Sequence, residues 1–409
     1  MSTMRGKIAN VLLKRIRALK TPAHGDSVAR AGVPAGSAKS VSVRQAQFSD
    51  FERVCALNLR LGQGPDSVEN WRRLWLYNPA LADGRGASPI GWVLEASHDV
   101  VGFLGSIPLQ YEFEGSALRA AATCRFAVEP AYRAFSHLLV VSFFRQKNVD
   151  LFLNSTATVA AGKIMTALKA SPLPQPDYGN VLFWVLNPRH FAKEVLKKLG
   201  VKAPLIEPGA AVASLVLKGD MAIRKGVPRG NSSGCSVRET SVHECGPEFE
   251  QLWSENSKGI SRLFARRTPE ILRWHFDPPG NRRISRVLSG WVENKLVGYM
   301  IVRHEPPDIE GIRRSLVADL LVKESDPLIL EQLFAAALSS AKKAGSDSLE
   351  IMGFPERIRQ TLLQWKPYSR QYPACPFFFK ARNRALHERL TDQSAWYACP
   401  YDGDATLWP

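Results

Sequence analysis

Two groups of carboxylates stand out for the company they keep. Asp319 is flanked by Val317, Ala318, Leu320 and Leu321. A carboxylate in so apolar a strand is either paired with an arginine or shifted in pKa for a purpose. Arg313 and Arg314 on the same hairpin offer the pair. The second group lies in the C-terminal tail, where Tyr401, Asp402 and Asp404 follow Trp396 and Tyr397. Acids grouped with aromatics suit a pocket for a polar or amine ligand. The same segment also reads as a strap packed on a domain. Asp402 to Asp404 is too short for a calcium loop. Cysteines at 55, 124, 235, 245, 375 and 399 form no C-x-x-C pair, and His243 with Cys245 supplies only two ligands. No metal site is expected from such a set. Sparse unpaired cysteines point to a reducing, cytoplasmic setting.

Composition narrows the partners. The 409 residues carry 54 Lys and Arg against 38 Asp and Glu, a formal charge of +16. Such an excess suits an anionic partner: nucleic acid, anionic lipid or a phosphorylated small molecule. Residues 1–20 hold six Lys and Arg and no acid, and Ile8, Val11, Leu12, Ile16 and Leu19 recur at helical spacing. This reads as a short basic amphipathic helix, suited to an anionic membrane surface or to a solvated tail. Residues 21–40, rich in Gly, Ala, Ser and Pro, read as a flexible linker. Neither a secretory signal nor an apolar run of about 18 residues is present. No DNA- or RNA-binding signature is present either.

The elements that position these groups occur twice. Ser42-Val43-Arg44 recurs as Ser236-Val237-Arg238, and Trp75 with Asn78-Pro79 recurs as Trp274 with Asp277-Pro278. Gly91-Trp92-Val93 recurs as Gly290-Trp291-Val292. Near-constant offsets predict two domains, 41–201 and 236–409, joined by a linker at 202–235 and preceded by the segment 1–40. Each half reads as two helices, three antiparallel strands, helix, strand, helix, strand. In the first half the meander spans 91–96, 100–113 and 118–128, with turns at Ser97–Asp99 and Glu114–Ser116. Ser136 is placed to cap the helix that follows. Strands at 178–186 and 374–380 close the two halves.

That order resembles the GNAT acyltransferase fold, an α+β fold with a mixed, mainly antiparallel sheet flanked by helices, here in tandem. Phe126, Val128, Pro130, Tyr132 and Arg133, followed by a helix, resemble the family strand that runs into the acyl-CoA loop. The resemblance implies acetyl-CoA or another acyl-CoA as co-substrate. It would be held at Phe126, Val128, Arg133, Ala134, Ser136 and His137. Ser136 and Leu138 stand where the family has glycines. Ser136 can cap and Arg133 or His137 can meet phosphate; alternatively, Phe135 and Leu138 pack the loop shut. In the second half Glu324 and Asp326 stand where pyrophosphate would sit, so that half shapes the acceptor site instead. The resemblance further implies Glu129 as base and Asn154 as a catalytic candidate; Asp319, from its apolar surroundings, is a third. The implied activity is N-acyl transfer to an amino group of a small molecule or a cell-surface precursor. Tandem halves also resemble, more distantly, the aminoacyl-tRNA-dependent FemABX transferases, the one reading that brings in tRNA. A non-catalytic binding protein is the third reading.

Overall fold

The computed structural model describes residues 40–82, 88–224, 234–258, 261–280, 283–308, 311–372 and 376–408. The expected basic helix at 1–20 and nearly all of the linker at 21–40 lie outside them. The first half runs β1 (Val41–Gln45), α1 (Phe51–Arg60), α2 (Val68–Trp75), β2 (Gly91–Ala96), β3 (Asp99–Phe113) and β4 (Ser116–Val128). It continues with α3 (Ser136–Phe144), β5 (Leu151–Asn154), α4 (Val159–Ala167), β6 (Ser171–Pro172) and β7 (Asn180–Val185). Two helices follow, α5 (Pro188–Lys198) and α6 (Ala203–Arg224). The second half runs β8 (Ser236–Thr240), α7 (Pro247–Ser257), β9 (Phe264–Ala265), α8 (Pro269–Phe276), β10 (Ile284–Val292), β11 (Lys295–His304) and β12 (Arg314–Val322). Then come α9 (Pro327–Lys343), β13 (Ser348–Ile351), α10 (Glu356–Gln364), β14 (Tyr368–Gln371), β15 (Phe378–Ala381) and α11 (Arg384–Arg389).

Tight turns set the meanders. Ser97–His98, Glu114–Gly115 and Glu293–Asn294 all have both φ angles positive. That is the two-residue turn whose twist matches the strands it joins. The extra residues in β4 and β12 matter more. The β3–β4 register shifts between Phe103 and Gly105, and the β11–β12 register shifts between Ile301 and Val302. Each third strand therefore carries a bulge before its end.

The structure departs from the expected division in two places. The strands at 178–186 and 374–380 do not close their own halves. The first sheet is ordered β1-β2-β3-β4-β5-β15-β6 and the second β14-β7-β13-β12-β11-β10-β8. β7 lies between β13 and β14, while β15 lies between β5 and β6, all antiparallel. The halves exchange strands reciprocally. Apolar strands such as Val181–Val185 announce burial on both faces but not the sheet that buries them. The expected linker at 202–235 also contains a 22-residue helix, α6, which buries Ala210, Ala213 and Leu217 against Phe191, Val195 and Leu196 of α5.

One apolar core crosses both sheets, from Tyr111 and Leu151 to Leu333 and Trp396. Residues 1–235 and 236–409 produced as separate chains should each lack a strand of their own sheet and aggregate, whereas their co-expression should restore a soluble complex. Co-purification and circular dichroism would check this.

Candidate active site

β4 and β5 run parallel only where Ala120, Ala121 and Ala122 pair with Leu151, Phe152 and Leu153. Beyond that, β4 continues to Val128 while β5 stops at Asn154, so the strands part. The gap opens into a cavity of about 700 Å³. Its walls are Thr123 to Phe126 of β4, Asn154, Thr156 to Thr158 and Ala161 at the start of α4, the α1–α2 loop at Gln63 to Pro65, and Asp404, Ala405 and Trp408 of the tail. Gly280, Arg283 and Pro306 bring in the second half.

Among the described residues, the cavity holds one buried acid, Asp404, beside two cations, Arg125 and Arg283. Asp404 accepts hydrogen bonds from Ser155 Oγ at 2.8 Å and from Thr156 Oγ1 at 2.9 Å. Burial pushes its carboxyl above the usual range, while these hydroxyls hold it down. Arg125 occupies the bulge with φ near 50°, a strained value for a non-glycine residue. Its guanidinium lies 4.2 Å from the Trp408 ring and donates to the Gly64 carbonyl at 3.0 Å, and its buried Nε has no hydrogen-bond partner among the described residues. Asn154 is buried on the wall.

The tail is pinned by arginines. Arg303 donates to the Thr406 carbonyl at 3.0 Å, Arg73 to the Leu407 carbonyl at 2.5 Å, and Arg283 to the Trp408 carbonyl at 2.5 Å. Burial lowers the Arg73 guanidinium to a pKa of about 10. His275, fully buried, hydrogen-bonds Thr406 Oγ1, and burial together with Arg73, Arg303 and Arg267 drives its pKa well below the ordinary value, so it is neutral.

The residues singled out from the sequence separate. Phe126 and Asn154 line the cavity. Val128, Arg133, Ala134, Ser136 and His137 follow at the outer end of β4. There Pro130–Phe135 forms a 3-10 turn that feeds directly into α3. Ser136 does not cap α3: its hydroxyl donates to the Arg133 carbonyl at 2.6 Å, because the turn has already placed it inside the helix. His137 Nδ1 meets the Ala134 carbonyl at 2.9 Å. Phe135 points away from the core, 38% exposed, and Arg133 is exposed. Glu129 is tied to Arg60 at 2.7 Å. Asp319 lies outside the cavity and is fully buried. Its partner is neither Arg313 nor Arg314 but Arg267, whose Nε donates to both carboxylate oxygens at 3.1 Å. Tyr299 donates to the same carboxylate at 2.7 Å. Of the tail group, only Asp404 reaches the cavity. Tyr401 and Asp402 are buried beside Arg267, whose guanidinium stacks 4.6 Å from the Tyr401 ring. Sequence reading passed over Arg125, although it meets the criterion that picked out Asp319, a charge set inside an apolar strand.

The corresponding gap in the second half is filled. β12 pairs with β13 only as far as Val317 and Ile351. The tail runs through the space beyond: Tyr397 donates to the Leu320 carbonyl at 2.5 Å, Cys399 Sγ meets Asp319 at 3.5 Å, and the Phe354 amide donates to the Ala398 carbonyl at 2.7 Å.

Two changes test this arrangement. Gly403 has φ near +85°, and a Cβ there would lie 2.3 Å from Ser155 Oγ, the hydroxyl that holds Asp404. Gly403→Ala should cost about 1–3 kcal/mol in denaturant unfolding. Burial pushes Asp402 up to about 6, against the fields of Arg267 and the Cys399 amide. Between about pH 4 and pH 6 the folded chain keeps a proton that the unfolded chain has released, so this group's stabilisation is full at low pH and lost as pH rises through that window. Relative to wild type, Asp402→Asn should gain up to about 3 kcal/mol between pH 4 and pH 7, read from denaturant midpoints.

Solved structures share this architecture. A GCN5-related N-acetyltransferase from Anabaena variabilis matches with a TM-score of 0.54 at 11% identity, over 84% of this chain and 73% of that one. A probable N-acyltransferase from Enterococcus faecalis gives 0.54 at 10% identity over the same shares. N-myristoyltransferase from Saccharomyces cerevisiae, solved with bound myristoyl-CoA, gives 0.50 at 12% identity over 92% of each chain. No family model matches the chain, and no curated protein matches it in sequence. At these identities the likeness is one of fold. The chain has a GNAT-like α+β fold.

Proposed function

We propose that the chain is an N-acyltransferase that takes its acyl group from acyl-CoA in the β4–β5 gap and delivers it to an amine. The observation that carries this reading is the contrast between the two gaps. The first is open and ends on a buried acid, while the second is occupied by the chain's own tail. Backbone groups of β4 beyond Ala122 have no partners on β5 and suit a pantetheine arm. Arg133, exposed at the outer end, suits the pyrophosphate. Acyl-CoA supplies a thioester whose carbonyl carbon an amine can attack.

The chemistry asks for a proton acceptor. The acyl acceptor enters as an ammonium and must lose a proton before its nitrogen forms the C–N bond. The C–S bond then breaks and the thiolate leaves with CoA, taking up a proton. Asp404 suits the deprotonation, because it lines the cavity and its raised pKa brings it nearer neutrality as a base. The ionised form is the active one, so the rate should fall as the medium becomes acidic through that raised pKa. The acceptor class is an amino group of a small molecule or a cell-surface precursor, admitted from the side of Gly280, Arg283 and Pro306.

Calorimetric titration with acetyl-CoA and with longer acyl-CoAs tests the first step, and absence of binding by all of them overturns the proposal. Asp404→Asn should leave acyl-CoA affinity unchanged and lower transfer to an amine by about 10²- to 10⁴-fold. Release of free thiol would report it.

A further inference from the structure

A surface helix normally shows water a polar face. α6 does not. Its inner stripe, Ala210, Ala213 and Leu217, is buried on α5. Its outer stripe is apolar as well: Leu205 is 59% exposed, Leu215 69% and Ile223 78%, with Val212 beside them. At 3.6 residues per turn these four positions fall within one face, along a helix about 33 Å long. The other exposed residues of α6 are mostly Ala, Gly and Pro; Glu207 and Lys218 are the charged ones. Contiguous apolar surface of this kind marks a contact.

Charge identifies what it meets. Residues 188–224 carry seven Lys and Arg against three acids. Glu194 is buried, and Glu207 is held by Lys193 and Arg189. Lys202, just before the helix, and Lys218, between Leu215 and Ile223, are exposed. Residues 1–20, with six cations, no acid and apolar positions at helical spacing, have the same character. Two cationic, apolar segments repel one another and share an attraction to anionic lipid. Among the described residues no helix is long and apolar enough to cross a membrane. Glu207, Lys218, Asp220 and Arg224 within α6 suit a helix lying in the interface. We infer that α6 docks the protein on an anionic bilayer surface, its Leu205–Ile223 stripe set among the acyl chains and the lysines of its rim among the headgroups.

Co-sedimentation of the full chain with vesicles tests this. Wild type should pellet with phosphatidylglycerol-containing vesicles, pellet less with pure phosphatidylcholine, and be released by salt. Leu215→Glu with Ile223→Glu should lower vesicle affinity at least tenfold while leaving the thermal midpoint unchanged, since both side chains are exposed. Lys202→Glu with Lys218→Glu should flatten the salt dependence. Equal binding by wild type and the Leu215→Glu, Ile223→Glu variant overturns the inference. So does a wild type that binds only after residues 1–39 are removed, which would make that segment the occupant. A wild-type dimer that the same variant converts to monomer overturns it too, by assigning the stripe to a second copy.

Discussion

The interior depends on how one guanidinium is compensated. Arg267 is wholly buried, and a bare charge there would cost several kcal/mol. Four parts of the chain converge to hold it. Asp319 of β12 supplies the countercharge, and Tyr299 of β11 steadies that carboxylate. Ala265 of β9 offers its carbonyl at 2.7 Å. Cys399 and Tyr401 of the tail close the remaining sides. Burial alone would favour the neutral form, but the field of Asp319, joined by Asp402, holds Arg267 charged above its ordinary pKa. Tyr111 of β3 joins through Asp402 at 3.1 Å, so the network ties the first sheet to the second.

This anchoring decides where the tail runs, and the tail decides which gap stays open. In both halves the third and fourth strands part just ahead of a bulge in the third. In the second half Tyr397 to Cys399 take the backbone and carboxylate positions so exposed. Having crossed there, the tail reaches the first gap only with its end, as a wall. Asp404 therefore stands in the open cleft because Arg267 holds Cys399 and Tyr401 five and three residues earlier. The same strand geometry yields a cleft in one half and a sealed core in the other.

Much of the scaffold was legible because its causes are local. Alternation and two-residue turns marked the meanders, and repeated tryptophans and glycines marked the duplication. The exchanged strands were not legible. Val181–Val185 and Phe378–Ala381 carry the apolar signal of buried strands, but their partners lie across the chain. Asp319 was rightly marked as a carboxylate needing an answer. The answering cation, 52 residues upstream, lies far outside any hairpin. Arg125 shows the converse: its signal was local, but its meaning depended on a bulge that only the pairing of β3 with β4 reveals. At the site, Asn154 and Phe126, singled out through the family resemblance, line the cavity, whereas Trp408 and the hydroxyls around Asp404 needed the path of the tail.

The strand exchange and the tail together bear on how rigid the cleft is. One side of it rests on β4 and β5, and β5 is held in its sheet by β15, from the other half. The opposite side is the tail, fixed at Thr406, Leu407 and Trp408 by Arg303, Arg73 and Arg283, from both halves. Neither wall belongs to one half alone. An acid carried on such a wall keeps its distance to the strand edge. Pre-set geometry of this kind suits a group that must meet a reacting nitrogen. It also explains why a flexible-looking run of Asp, Gly, Asp and Ala, read alone, gives no hint of order. Gly403 takes a left-handed turn against Ser155, and that contact fixes the carboxylate that follows it.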